Sequence, residues 1–347
     1  SISFFAVQIM ITDDGLLLLA CVGGSILSFK VRRFRKRTPD WTPAPEWVPV
    51  GTVKHLRLFP VKSCKAQEVF SFLCGPVGGS VGDLHDRGFM AINGQTGLFL
   101  TARAFPRMVL IECTAADAVL TVKIPDSRSV NVVLEDVIEA NVVRRGTMFL
   151  KMNTDGLDCG DGVGALFDEF LGTTDTRLIY YQPHLYQQRV IPAQPNWWNS
   201  PVPKRIDTIR YADLSPFMVT TEASQRDLNS RLDTPVSSLQ MRGNIVVDHC
   251  AAWDEDSWAG IRIGEAELQC YKPCTRCVLS TVGPETGEKD AGMQPLKKLR
   301  EFRLAPEGRM REAHGQSPIF GVNAGLMRPG YIHVGQTVYV KYKPSAF

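Results

Sequence analysis

From Gly51 onward the chain is cut into short β-branched segments, and this punctuation limits its fold more than any other feature. Segments 53–59, 88–93, 107–112, 118–124 and 130–134 are rich in Val, Ile, Leu and Phe, which suit a pleated, half-buried surface. Asn93-Gly94 signals a hairpin turn after the second, because both residues tolerate positive φ. Further strands are expected at 244–248, 266–271 and 277–282, with a closing hairpin at 331–342. Helical periodicity is rare. Val163, Leu166, Phe167, Phe170 and Leu171 recur on one helical stripe between Asp161 and Gly172, so a helix is expected over 162–171. Another is expected over 222–232. Many short strands with few helices give an α+β class with a β-barrel or sandwich core.

The 347 residues suffice for about two domains. A boundary is expected near the Pro- and Trp-rich stretch 182–205, giving bodies at 51–181 and 182–343. Before them, 15–29 is uncharged and is followed by the basic flank 30–37. A buried core helix or a cleaved signal peptide fits this order poorly, since the charge follows the apolar run. A retained membrane anchor over 1–37 fits best, with flanking cations that snorkel and hold the body on the cytosolic side. Residues 38–50, with four prolines, read as a stiff linker.

Charge narrows the partners. Residues 1–37 hold six Lys or Arg and two Asp, which leaves 33 basic and 34 acidic residues in the rest. A nearly neutral body argues against nucleic acid. The nine cysteines are odd in number and scattered, as free thiols in a reducing compartment would be.

Two of them form Cys274-Thr275-Arg276-Cys277. A structural zinc site needs about four ligands, and the chain has a single C-x-x-C and no paired histidines. A dithiol pair needs a helix dipole, whereas a strand is expected here. Two inert buried cysteines are the plain alternative. Lys272 and Arg276, however, favour a thiolate, and a lone thiolate beside Arg suits a soft metal carried on an anionic cofactor. Lys62-Ser63, Arg87, Ser215, and Arg242 with Asn244 are candidate holders of such a cofactor. Arg and Lys bind phosphate, and Asn can read a heterocycle edge.

Together these fragments resemble the mitochondrial amidoxime-reducing components, molybdenum enzymes built on a MOSC domain. The resemblance covers about residues 50–343. It is carried by "FPVKSCKA" (59–66), Asp86-Arg87, "TAR" (101–103), "DCG" (158–160), "SPF" (215–217), "EDSW" (255–258), "CTRC" and "GQSPIFG" (315–321). It implies a β-barrel-rich MOSC domain at 182–343, an N-terminal β-rich MOSC-associated domain at 51–181, and a signal anchor in the mitochondrial outer membrane with the body facing the cytosol. Cys277 would ligate molybdenum. Lys62, Ser63, Arg87, Leu214, Ser215, Arg242, Asn244, Thr275 and Arg276 fall where the family holds the molybdopterin. The chain departs from the pattern at Gly243, at Leu214 and at Asn323, where the family has Pro, Thr and Tyr.

The implied reaction removes oxygen from amidoximes or hydroxylamines as water. Electrons would come from NADH through cytochrome b5 reductase and a cytochrome b5-type haem protein, and Asp213 is a candidate proton donor. A cofactor or sulfur carrier without turnover would need the same clamp, and a membrane-tethered scaffold would need none of it.

Overall fold

The computed structural model describes residues 7–12, 15–22, 25–31, 46–149, 152–185, 187–192 and 203–346, with the backbone alone defined over 7–31. The chain forms two units, Ser1–Glu46 and Trp47–Phe347. In the first, Val7–Thr12, Gly15–Val22 and Ser25–Val31 make an antiparallel sheet. Within the expected anchor, the described parts of 15–29 are extended. Among the described residues no helix is long and apolar enough to cross a membrane. Residues 38–45 of the expected linker and 193–202 of the Pro- and Trp-rich stretch lie outside the described residues.

The second unit is built around an eight-stranded sheet, seven strands of which close into a ring while Gln67–Val69 pairs with the end of Val48–Leu58. Val48–Leu58 pairs with Thr337–Tyr342 on one side and with Ile245–Asp248 on the other. Phe217–Thr221, Ile319–Arg328, Ala266–Thr275 and Trp258–Ile263 complete the ring. Only Phe217–Thr221 and Ile245–Asp248 run parallel. Closure leaves few edges to protect, and the ring is filled by Leu56, Leu58, Phe217, Trp258, Val338 and Val340, all fully buried. Trp47 packs outside, under Arg262 and Lys341 at 5.0 and 4.7 Å.

A second core gathers Phe89, Met108, Leu120, Val122, Phe167 and Leu178. Helix Asp161–Leu171 covers it with the expected stripe, and Gly172 ends it at φ 69°. Gly164 lets this helix touch strand Thr176–Tyr180, since a Cβ there would lie 2.1 Å from Thr176 O.

Three expected strand readings fail, and the third, 277–282, lies at the cavity described below. Residues 107–112 start as a 3₁₀ helix, Pro106–Leu110, because Pro106 fixes φ and donates no hydrogen bond. Residues 331–342 are not a hairpin. Gly330–His333 pairs with Ser71–Gly75, and Thr337–Tyr342 with the barrel. The connecting amides bond elsewhere, Val334 N to Phe70 O and Gly335 N to Val53 O. At Asn93 the turn is real but longer than two residues, as Asn93 Oδ1 accepts from Gln95 N and Thr96 N.

Helix Glu222–Asn229 begins at Thr221, whose hydroxyl accepts from Ser224 N. Thr221 and Ser224 hydroxyls also donate to Glu255 Oε2 at 3.0 and 2.8 Å. Glu255 is fully buried, and Oε1 has no partner. Burial first, then the neighbouring Asp256 charge, pushes its carboxyl up to about 7 from 4.5. An acid raised in this way destabilises the fold as pH climbs from its unfolded to its folded pKa, because the unfolded chain ionises first. Glu255→Gln keeps the oxygen acceptor and removes the ionisation. Its melting temperature should gain on the parent's between about pH 4.5 and 7, by the equivalent of at most about 3 kcal/mol. A gap that does not change with pH would overturn this account.

Candidate functional site

Two loops build one wall of a cavity. Residues 59–64 leave the strand Val48–Leu58, and 86–88 precede Phe89–Asn93. Backbone bonds stitch them together: Arg87 N to Phe59 O at 2.7 Å, Lys62 N to Phe89 O at 2.8 Å, and Phe89 N to Pro60 O at 3.0 Å. Asp86, 2% exposed, accepts from Phe59 N at 2.9 Å and pairs with Arg87 at 2.6 Å. Ser63 and Arg87 have φ of 72° and 46°, and Arg242 across the cavity has 55°. Left-handed backbone costs a non-glycine residue about 1 kcal/mol or more, and such positions cluster at functional sites.

The other wall comes from barrel ends. Arg242 closes the 3₁₀ helix Ser238–Met241, and Asn244 enters strand Ile245–Asp248. Asn244 is committed to protein: Nδ2 donates to Arg57 O, and Oδ1 accepts from Met218 N and Arg87 Nη1. Gly243 admits Thr220, whose Oγ1 would lie 2.8 Å from a Cβ there. Cys274 and Thr275 end the strand Ala266–Thr275, and Arg276 N bonds Pro318 O at 2.7 Å. The strand expected at 277–282 is instead a 3₁₀ turn, Val278–Thr281. Ser280 bonds Cys277 O through both N and Oγ, and Thr281 Oγ1 bonds Val278 O. These local hydroxyl bonds outcompete a ladder.

The structure brings all the candidate site residues together. Lys62, Ser63, Arg87, Asp213, Leu214, Ser215, Arg242, Asn244, Thr275, Arg276 and Cys277 line one cavity of about 520 Å³. Arg103, Phe149, Met152, Ile191 and Cys274 join them. Arg103 lies in the "TAR" segment already singled out, whereas the apolar members carry no signal that separates them from core. Asn323 is buried in the same wall, accepting from Ser215 Oγ at 2.8 Å and donating to Pro273 O at 3.3 Å.

Charge in the cavity is one-sided. Lys62, Arg87, Arg103, Arg242 and Arg276 face a single lining carboxylate, Asp213. Arg87 and Arg242 both lie over the buried Phe59 ring, at 4.3 and 4.2 Å. Burial, then the Arg87 charge, lowers Arg242 to about 9, and it has no carboxylate partner among the described residues. Arg276 donates to Met241 O at 2.7 Å and to Cys274 Sγ at 3.0 Å, while its buried Nε has no partner. Lys62, 7% exposed, donates to Tyr211 O at 2.8 Å and pairs with Asp213. Burial pushes Lys62 down to about 8 against the pull of Asp213. Asp213 keeps 54% of its side chain exposed; enclosure by the surrounding walls works toward protonation, but the Lys62 charge and hydrogen bond win and hold it below the usual carboxylate range.

Beside this pair the backbone is turned inside out. The carbonyls of 210–214 are all taken by side chains. Arg189 donates to those of Arg210, Ala212 and Asp213, Lys62 to that of Tyr211, and Tyr271 to that of Leu214. The amides of Ala212, Asp213, Leu214 and Ser215 have no acceptor among the described residues. Successive free amides beside cations make an anion cradle. Cys277 is exposed, unlike Cys64, Cys74, Cys113, Cys159 and Cys270, and burial pushes the Cys74 and Cys270 thiols up to about 12. An orphaned buried guanidinium nitrogen, free amides and an accessible thiol in one cavity fit a phosphate-bearing group that carries a soft metal.

Two family models match the chain, the MOSC N-terminal beta barrel domain over residues 50–174 and the MOSC domain over 207–339. Mitochondrial amidoxime-reducing component 1 of Mus musculus and of Homo sapiens are each 36% identical over 291 residues. The match covers 84% of this chain and 82% and 83% of theirs. Mitochondrial amidoxime reducing component 2 of Macaca fascicularis is 33% identical over 293 residues, 84% of this chain and 83% of its own.

The cavity's charge yields a pH test with sulfate, which does not titrate in the range used. Sulfate affinity, followed by calorimetry, should fall as pH rises through about 8, where Lys62 loses its proton, and bound anion should move that midpoint upward. Arg242→Ala should weaken binding roughly tenfold to a hundredfold, the worth of a charge-assisted hydrogen bond, and keep the pH step. A step still centred near 8 in Lys62→Met would show that another group titrates there, since Arg242, at about 9, accounts only for a later one.

Proposed function

The chain belongs to the amidoxime-reducing component family of MOSC-domain proteins, and from that membership we propose that it is a molybdenum-cofactor-dependent reductase of N-hydroxylated compounds. The observation that carries the reading is the exposed Cys277 thiol in a buried cationic cavity.

The overall change is R–NHOH plus two electrons and two protons to R–NH₂ and water. When bound, the molybdenum cofactor supplies the redox equivalents and a centre that accepts oxygen. Cys277 is the proposed thiolate ligand, since its sulfur is accessible while the other cysteines near it are buried or engaged. Arg242, Arg276 and Arg87 would hold the phosphate with the free amides of 213–215, and Ser63, Ser215 and Thr275 supply hydroxyls at the same wall. Asn244 contributes by fixing Arg87 and two barrel strands.

Proton supply follows from the Lys62–Asp213 pair. Asp213 is held ionised, so the proton stored at the site sits on Lys62, whose pKa near 8 suits transfer at neutral pH. Asp213, with its side chain 54% exposed, can recharge Lys62 from solvent. This moves the donor role from Asp213 to Lys62 and leaves Asp213 as the relay. Electrons are proposed to come from NADH through cytochrome b5 reductase and a cytochrome b5-type haem protein, as the family resemblance implies.

The apolar run 15–29 and the cations that follow it support an anchor in the mitochondrial outer membrane with the body outside. Protease added to intact mitochondria should then remove the body. Protection until the outer membrane is ruptured would place it elsewhere.

The two cysteines give the decisive experiment. Cys274 already accepts from Arg276 and ends a strand, whereas Cys277 is exposed. Cys277→Ser should abolish benzamidoxime reduction per bound molybdenum, because a hard hydroxyl replaces a soft thiolate. Cys274→Ser should keep substantial activity. The assay supplies NADH and both redox partners. Cofactor binding without turnover in the parent protein would establish the carrier alternative, and equal loss in both variants would overturn the single-ligand assignment.

A further inference from the structure

Arg189 lies in neither matched domain, since the MOSC N-terminal match ends at residue 174 and the MOSC match begins at 207. It is nevertheless built into the site. Val190–Ile191 pairs antiparallel with Asp207–Thr208, and Ile209 N bonds Arg189 O at 3.2 Å. From there the guanidinium reaches over the next turn and donates to the carbonyls of Arg210, Ala212 and Asp213. In a planar trans peptide the N–H points away from the preceding C=O. Holding Ala212 O and Asp213 O therefore turns the amides of Asp213 and Leu214 the other way. Lys62, through Tyr211 O, and Tyr271, through Leu214 O, do the same for the amides of Ala212 and Ser215. Arg189 thus sets two of the four free amides. Leu214 carries no side-chain hydroxyl, so its amide is all it can offer an anion. Arg189 is 4% exposed, is not one of the residues that line the cavity, and has no ion pair among the described residues. A buried cation bonded only to neutral carbonyls is costly, so its charge gains from an anion nearby.

Resting on the reading above, in which the free amides of 213–215 hold the cofactor phosphate, we propose that Arg189 is a positioning residue for that phosphate. It turns the amides of Asp213 and Leu214 toward the cavity and adds a positive charge behind them. Arginine suits this task because one planar group carries its donors in a fixed fork, whereas lysine presents a compact point charge. The same charge faces Lys62. Burial lowers the Lys62 pKa most, Asp213 opposes this, and Arg189 and Arg87 add to the lowering. Removing the charge at 189 therefore moves the Lys62 step to higher pH, which loss of a neutral brace would not do.

The test uses the full chain without cofactor and sulfate as the probe, followed by calorimetry across pH. Arg189→Met fills similar space with neither charge nor donors. It should weaken sulfate binding near neutral pH by roughly a hundredfold, as expected for two hydrogen bonds to a charged group. Its pH midpoint should move upward from about 8. Arg189→Lys keeps the charge but cannot span three carbonyls. It should weaken binding roughly tenfold, about one such hydrogen bond, and leave the midpoint at the parent's value. Melting without sulfate shows whether both variants fold, and should Arg189→Met fail to fold, the affinity of Arg189→Lys decides alone. Parent affinity in Arg189→Lys would overturn the positioning role, since charge without the fork would then suffice. An unmoved midpoint in a folded Arg189→Met would reduce Arg189 to a structural brace and overturn the proposal as well. Sulfate binding needs no turnover, so a parent that binds sulfate but reduces no amidoxime would refute the reductase reading and leave this one in place.

Discussion

Strand Val48–Leu58 hydrogen-bonds to Thr337–Tyr342 along its first half and to Ile245–Asp248 further on. One strand therefore closes the barrel, and its exit fixes the site. The chain leaves it at Phe59, whose amide is held by Asp86 and whose carbonyl is held by Arg87 N. Asp86 is buried and also neutralises Arg87. A carboxylate that caps a strand end and pairs a cation cannot be replaced by an apolar group, because a buried charge left alone costs several kcal/mol. Barrel closure, the Phe59 platform and the position of Arg87 are therefore a single coupled arrangement.

That platform carries a cost. Two guanidiniums share the Phe59 ring, and their mutual repulsion adds to burial in lowering Arg242. Cation–π contact offsets part of this, about 0.5–2 kcal/mol each, but supplies no counter-charge. The loop 210–215 does the same with dipoles, since the carbonyls of 210–214 are taken by side chains and the amides of 212–215 have no acceptor among the described residues. A protein arranged in this way is less stable alone than with an anion in the cavity, and binding and folding are linked. The strain at Ser63, Arg87 and Arg242 belongs to the same economy, as left-handed backbone at three places turns polar groups toward one space.

Much of this was legible in the sequence, for identifiable reasons. The stripe Val163 to Leu171 and the β-branched runs gave helix and strands, because one period dominates each. Every candidate site residue lines one cavity because each sits at the end of an element, where loops project. What failed was ambiguous in period. Residues 107–112 and 277–282 look like strands by composition, yet Pro106 in one and Ser280 with Thr281 in the other impose 3₁₀ turns. The pairing of 330–333 with 71–75 depends on partners some 260 residues away, which no local pattern encodes. Arg189 was invisible for a different reason. It lies in a Pro-rich stretch, and its value comes from three carbonyls that only the fold places around it.

The asymmetry of the two cysteines follows from where the barrel strand stops. Ala266–Thr275 remains laddered to Ile319–Arg328 as far as Thr275, with Cys274 at a register shift between the paired Pro273 and Thr275, and its sulfur takes a bond from Arg276. Arg276 in turn is tied to Met241 O, one residue before Arg242. Past that point the ladder is gone, and the 3₁₀ turn that follows accepts its first bonds at Cys277 O. Cys277 thus has a fixed backbone and a free side chain, the combination a metal ligand needs. Had the segment continued as a strand, alternation would have placed Cys274 and Cys277 on opposite faces, with no turn to present either sulfur. The local hydroxyl bonds of Ser280 and Thr281, which defeat the strand, are therefore what give the second cysteine its exposure.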